Sequence, residues 1–200
     1  MCIRDSGMAA EYVGNNNISL LVPKGQFGTR LRGGDDHASE RYIFTNLNSV
    51  TRNIFQESDT DVLTYLYDDG TKVEPEYFVP IIPMICVNGG KGIGTGFSCD
   101  IPAFNTTQII KYLEHKIKKK TTPQPEIDVY YEDFKGDIIK IEDKKYLIKG
   151  KYNIVDTLNV VVTELPVGMW TETYKEYLES LMDNRENRNK KKTPYIKSYK

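Results

Sequence analysis

An arginine and a tyrosine stand side by side at Arg41 and Tyr42, shortly after a glycine-rich stretch that carries Arg30 and Arg32. A phenol with a pKa of about 10 is a poor nucleophile at neutral pH unless cations or a base stabilise the phenolate. Guanidinium groups can supply that stabilisation, and their planar fork also holds a phosphate through paired hydrogen bonds. The chemistry open to such a set is attack of the phenolate oxygen on phosphorus. Spacing alone favours a plainer reading, in which Tyr42 packs and hydrogen-bonds beside its arginine.

Other candidate chemistry is thin. The run NGGKGIGTG, residues 88–96, has glycine amides that could cradle an anion. It contains no G-x-x-x-x-G-K-[ST], and Gly92, Gly94 and Gly96 lack the final spacing of a dinucleotide fingerprint. By itself it reads as a flexible structural loop. His37 and His115 are too far apart in sequence to suggest a metal site without other ligands. His115 is expected on the exposed side of a helix, whereas His37, in a polar turn, suits a local hydrogen bond and a DNA-facing role equally. Cys2, Cys86 and Cys99 form no CxxC pair, which points to free thiols in a reducing compartment, with Cys86 buried.

The elements that must position Tyr42 begin with a short buried strand at residues 18–22 and a loop punctuated by Gly25, Gly28, Gly33 and Gly34. Beyond the polar turn at 35–39, Ile43, Leu47, Val50 and Ile54 recur at spacings of four, three and four. That predicts an amphipathic helix of about four turns with Ser39 or Asp36 as its N-cap. Tyr42 would then lie in the first turn, beside the apolar stripe, where free amides and partial positive charge favour a phosphate. Residues 56–72 are polar and turn-rich, and Pro75, Pro80 and Pro83 exclude a continuous helix or central strand over 73–87.

Character shifts at Pro102, which puts a domain boundary near residue 103. Asn105 can cap a helix with Ile109, Ile110, Leu113 and Ile117 on one face. Apolar or alternating segments at 127–131, 137–141, 146–154 and 158–163, separated by Gly136, Lys144 and Asp156, predict an antiparallel sheet. A last helix over 171–183 and a polar loop over 184–192 complete the chain, which has no internal repeat.

With 200 residues and 39% apolar content, the chain can bury one ordinary core or two small ones. It has no apolar run near the roughly 20 residues that cross a bilayer, and its opening MCIRDSGM lacks the apolar stretch of a secretory signal. A net charge of -1 does not by itself suggest a nucleic-acid partner. Residues 1–100 hold 8 Lys and Arg against 13 Asp and Glu, a net of -5, while residues 101–200 hold 19 against 15, a net of +4. Much of that surplus sits in lysine runs at 118–120 and 190–192, whose ordinary reading is solvated helix ends or loops.

Longer strings change the weighting. GQFGTRLRGGDDHASERYIFT, residues 25–45, closely resembles the segment around the active-site tyrosine of eukaryotic-type DNA topoisomerase II, a type IIA DNA topoisomerase. VEPEYFVPIIPMICVNGGKGIGTGFSCDIPAFN, residues 73–105, resembles the family's stretch joining winged-helix and tower domains. TELPVGMWTETYKE, residues 163–176, resembles a tower strand and helix, and GNNNISLL, residues 14–21, extends the likeness, which runs from about residue 11 to the end.

The resemblance implies an α+β fold: a partial winged-helix domain over 8–103, then a partial tower domain over 104–200 with an antiparallel sheet and flanking helices. Residues 1–7 do not resemble the family and are expected to be a non-native leader. Matched position by position, Tyr42 is the nucleophile that forms a 5'-phosphotyrosyl bond, and Arg41 the arginine that stabilises the scissile phosphate. Ile93 is the isoleucine that wedges between base pairs, with flanking glycines that let backbone approach the minor groove. Gln26, Gly28, Thr29, Arg30 and Lys91 are expected DNA contacts. Glu40 and His37 depart from the small residues or proline of the family, and Glu40 is expected to point outward. Gly168 and Met169 stand where a basic residue is usual.

The implied activity is transient double-strand cleavage and religation of DNA, supporting ATP-dependent duplex passage in a homodimeric, membrane-free enzyme of the nucleus, or of viral or cytoplasmic origin if a large DNA virus encodes it. Mg2+ and ATP would both bind outside these 200 residues, which contain no metal-binding acidic site, ATPase domain or exit gate of the family's kind, so the isolated chain is expected to be inactive. The alternative is a non-catalytic DNA-binding or scaffold module from a degenerate paralogue; an acidic EGDSA-like segment upstream would favour the enzyme.

Overall fold

Near the start of the chain, helix α1, Ile3–Ala9, leads into Ala10; Ala9 and Ala10 bury against Phe27 and Ile43, with Tyr12, Leu21 and Ala38 packed around them. This is a computed structural model, which describes residues 3–119, 123–182 and 195–200. Cys2, Lys120, the lysine run at 190–192, the polar loop at 184–192 and the last position of the expected final helix, Asp183, lie outside the described residues.

Strand β1, Leu21–Lys24, pairs antiparallel with β2, Phe44–Leu47, so that Leu21 faces Leu47 and Lys24 faces Phe44. This corrects the four-turn helix expected over Ile43 to Ile54. The spacing of Ile43, Leu47, Val50 and Ile54 is helical, yet Leu47 is exposed while Ile43 and Ile54 bury separately. The ladder to β1, which links residues 20 to 26 apart in sequence, supplies hydrogen bonds that local periodicity does not foresee. Only one helical turn survives, α2, Thr51–Ile54.

In the polar stretch that follows, β3, Tyr65–Asp68, and β4, Thr71–Pro75, form a hairpin. Asp69 and Gly70 close it with φ of 44° and 79°, as a two-residue Asp-Gly turn requires. A short helix, α3, Met84–Val87, precedes a second hairpin of β5, Gly90–Gly94, and β6, Phe97–Ile101. The loop expected over 88–96 is therefore largely a strand. Gly90, Gly92 and Gly94 lie in the strand, which pairs from Gly90 opposite Ile101 to Gly94 opposite Phe97, while Gly89 and Gly96 flank it with φ of 72° and 82°.

Helix α4, Thr106–Ile117, starts where expected, and the Asn105 side chain accepts a hydrogen bond from the Gln108 amide at 3.1 Å. Its buried positions are Ile109 and His115, with Tyr112 half-buried, while Ile110 and Ile117 are exposed. The covered stripe is thus rotated from the one read off the isoleucines, which is why His115, expected on the surface, is buried. Strands β7, Asp137–Glu142, and β8, Lys145–Lys149, form one hairpin, and β9, Lys151–Ile154, with β10, Val160–Glu164, another. The single antiparallel sheet expected here is two separate pairs, and residues 127–131 contribute one bridge, Phe104 to Val129. Lys144, at φ 61°, and Gly150 are the breaks. Helix α5, Thr171–Met182, is the last element. The fold is mixed α/β built on antiparallel strand pairs.

Hydrogen bonds from Asn17 cross the boundary expected near residue 103. Asn17 Nδ2 donates to the carbonyls of Val87 (2.9 Å), Phe104 (3.3 Å) and Tyr130 (3.0 Å), and its Oδ1 accepts from the Glu132 amide at 2.9 Å. Asn88 exchanges two bonds with the backbone of Ile18, at 2.9 and 2.8 Å. These bonds satisfy backbone groups that no strand ladder reaches.

Candidate active site and nucleic-acid interface

Tyr42 ends a single 3-10 turn, Glu40–Tyr42, held by a 2.8 Å bond from its amide to the Ser39 carbonyl. Ser39 makes no side-chain cap, and the chain turns directly into extended backbone at Ile43. The α-helix expected to carry Tyr42 in its first turn is therefore absent. What the fold does is separate two neighbours: Ile43 enters the core, and Tyr42 is turned out with 70% of its surface exposed. The Arg41 guanidinium carbon lies 5.4 Å from the Tyr42 ring centroid, within cation–π range. Phenol and guanidinium are thus presented together to solvent. Glu40, expected to point outward, is half-buried.

The loop before this turn is tied to itself. Thr29 donates to the Asp36 carboxylate through its amide at 2.8 Å and its hydroxyl at 2.5 Å, Ala38 N–H donates to the Gln26 carbonyl at 2.9 Å, and His37 N–H donates to the Gly34 carbonyl at 3.1 Å. Partial desolvation raises the Asp36 pKa, but the Thr29 hydrogen bonds and Arg32 outweigh it and hold the carboxyl below the usual aspartate range. Gly28, at φ 98°, lies against Gly34, where a Cβ would meet backbone at 2.5 Å. His37 Nδ1 lies 3.0 Å from the Ala38 carbonyl.

The structure divides the three arginines of the glycine-rich stretch and the turn after it. Arg30 forms an ion pair with Glu164, and its Nη2 donates to the Leu165 carbonyl at 2.6 Å. Arg32 pairs with Glu172. Arg41 alone of the three stands at the tyrosine. Trp170 packs on the face of Gly33 and meets Tyr12 edge-on at 5.8 Å, while the Tyr12 hydroxyl donates to the Gly33 carbonyl at 2.8 Å. Burial of that phenol, and then Asp36 and Asp35 nearby, raise the Tyr12 pKa.

Lys91 and Ile93 belong to the β5–β6 hairpin, every residue of which from 91 to 100 is exposed. Ile93 is 92% exposed and Phe97, at the tip, 86%. Lys91 pairs loosely with Asp100 at 3.6 Å. Two large apolar side chains held out on a narrow glycine-backed hairpin form a probe that the body of the protein leaves uncovered. Sequence reasoning missed Phe97, although an aromatic two residues past Thr95 in a glycine run was a visible signal. It also missed Glu164, Trp170 and Tyr12, for which no local signal existed. Cys86, expected to be buried, is a half-buried free thiol, and Cys99 an exposed one. Among the described residues no group of three His, Cys, Asp or Glu side chains could hold a metal ion. No described helix is long and apolar enough to cross a membrane.

An exposed arginine–tyrosine pair and an apolar hairpin on an α/β scaffold define a class that comparison makes specific. Residues 6–199 match the DNA gyrase/topoisomerase IV family model, and the chain belongs to that family, the type IIA DNA topoisomerases. Within it, the chain is similar to a segment of the eukaryotic enzymes. It is 45% identical to Caenorhabditis elegans DNA topoisomerase 2 top-2 over 194 residues, 96% of this chain and 12% of the worm protein. Identity to human DNA topoisomerase 2-alpha is 44% with the same coverage of each. The crystal structure of the Plasmodium falciparum topoisomerase II DNA-binding, cleavage and re-ligation domain superposes with a TM-score of 0.85 at 44% identity, over 91% of this chain and 25% of that one. The chain thus spans about an eighth of the length of the relatives it matches.

Proposed function

We propose that this chain is the tyrosine-bearing part of a DNA cleavage–religation core, and that Tyr42 is its nucleophile. In this reading residues 8–103 form the C-terminal part of a winged-helix domain and residues 104–200 the N-terminal part of a tower domain. The Tyr42 phenolate oxygen attacks a backbone phosphorus of duplex DNA and a phosphotyrosyl bond to the 5' side forms. The phenolic proton passes to solvent, the bond from phosphorus to the 3'-oxygen breaks, and that oxygen takes a proton from solvent and leaves as a hydroxyl. One phosphodiester is exchanged for another, so resealing needs no external energy. Arg41 neutralises the non-bridging oxygens as charge builds on them. Two copies in a homodimer cut both strands, and the Mg2+ and ATP of the complete enzyme are held by parts other than these residues. The setting is the nucleus.

Gln26, Gly28 and Thr29 line the backbone beside the break, and Ile93 wedges a base step open from the minor groove with Lys91 on a neighbouring phosphate. The Arg30 guanidinium is already engaged by Glu164 and the Leu165 carbonyl. The observation that carries this reading is the exposure of Tyr42 beside Arg41 while its neighbour Ile43 anchors the core. The test is the complete enzyme with Tyr42→Phe: plasmid relaxation and denaturant-trapped protein–DNA adducts should both be lost, and their persistence would refute the assignment.

A further inference from the structure

Of the ion pairs among the described residues, Arg30 with Glu164 is the most withdrawn from water, its side chains 24% and 6% exposed, whereas the others lie at the surface. A half-buried guanidinium with a buried carboxylate on one side and the Leu165 carbonyl on another is poorly placed to reach a phosphate. Its partners lie more than 130 residues away in sequence, so the pair joins two distant segments. Around it run parallel links. Thr171 and Glu172 amides donate to the carbonyls of Arg30 and Leu31, at 3.4 and 3.0 Å, and Trp170 closes on Gly33. On its other side the same loop is bonded through Thr29 to Asp36, and through Gln26 to Ala38, four residues before Tyr42.

We infer that Arg30 is a positioning residue: by clamping Glu164 and the Leu165 carbonyl it fixes the 26–42 loop against the 164–172 segment and so sets where Arg41 and Tyr42 stand. This rests on the reading of Tyr42 as nucleophile. A buried ion pair is weak as a source of net stability but demanding in geometry, since removing either partner strands the other charge. A small displacement of a nucleophile is enough to cost on the order of a hundredfold in rate. The clamp therefore acts on the chemical step more than on DNA affinity.

The experiment uses the complete enzyme and a duplex oligonucleotide, with Kd for DNA and the single-turnover rate of adduct formation at saturating DNA measured separately. Arg30→Glu and Glu164→Arg should each slow adduct formation at least tenfold while Kd changes less than about threefold, and the double exchange should recover most of the loss. Glu164→Gln, which keeps the side chain's size, covers the case in which a reversed charge unfolds the site; it should lower the rate in the same direction with the melting profile retained. Weakened DNA binding with an unchanged saturated rate would overturn the inference and return Arg30 to the phosphate backbone. An unchanged rate in Glu164→Gln, or no recovery in a folded double exchange, would also overturn it. Absence of any adduct on Tyr42 in the parent enzyme is a separate result, which defeats the nucleophile assignment itself.

Discussion

Replacing Ile93 by alanine should separate DNA bending from protein stability. In the free protein Ile93 is 92% exposed, so its side chain contributes almost nothing to the folded state, and surface changes of this kind fall within about 0.5 kcal/mol. On a wedged duplex the same side chain would pass from water into the gap between base pairs. Isoleucine exceeds alanine by three carbons, which at about 0.8 kcal/mol per buried CH2 is roughly 2.4 kcal/mol. Unstacking a step costs a few kcal/mol, so this contribution is comparable to the cost it offsets. At about 1.4 kcal/mol per tenfold, the bent population relative to the straight one should fall by roughly fiftyfold. Energy transfer between dyes at the two ends of a duplex, read in the complete enzyme, measures it, with the melting temperature as control. An unchanged bend would remove the wedge role, and a large loss of stability would show that the exposed hairpin is packed against something the structure does not contain.

Further outcomes follow from the scaffold. Arg41→Lys keeps the charge but loses the planar fork, so adduct formation should fall by one to two orders of magnitude with DNA affinity nearly unchanged; an equal rate would reject a phosphate role for Arg41. Asn17→Ala removes the side chain that joins Val87, Phe104, Tyr130 and Glu132, and should cost about 3 kcal/mol in chemical denaturation. Asn105→Ala should cost about 1 kcal/mol, seen as faster amide exchange in the first turn of α4. For Asp36, the folded-state pKa lies below its unfolded value, so its contribution is present above about pH 4 and is lost as pH falls through the lowered value. The Thr29 amide should lose protection in that acid window, and Asp36→Asn should abolish the pH dependence.

Where the sequence was legible, one local device decided the structure. Asn105 followed by apolar residues at helical spacing marked α4 to the residue, and Lys144 marked a turn between two strands. The Asp69–Gly70 pair carried an equally local hairpin signal inside a stretch whose polarity drew attention away from it. The helix expected over Ile43 to Ile54 failed because its partner, β1, lies far away in sequence and no window of that length contains it. The site divides in the same way. The family likeness alone points to Tyr42, Arg41 and Ile93, and the structure adds the exposure of Tyr42 and Ile93 and the placement of Arg41 over the Tyr42 ring. The ion pair of Arg30 was not legible, because its carboxylate partner is 134 positions away, a distance across which residue types carry no spacing information.

The central claim is that Tyr42 becomes covalently joined to DNA. Its most direct measurement is the denaturant-trapped adduct of the complete enzyme, trimmed with nuclease, digested with protease and mapped by tandem mass spectrometry. The expected product is a nucleotide carried through its 5'-phosphate on Tyr42 alone among the 14 tyrosines of this chain. A nucleotide on any other residue, or an adduct still formed at full yield when Tyr42 is phenylalanine, would contradict it.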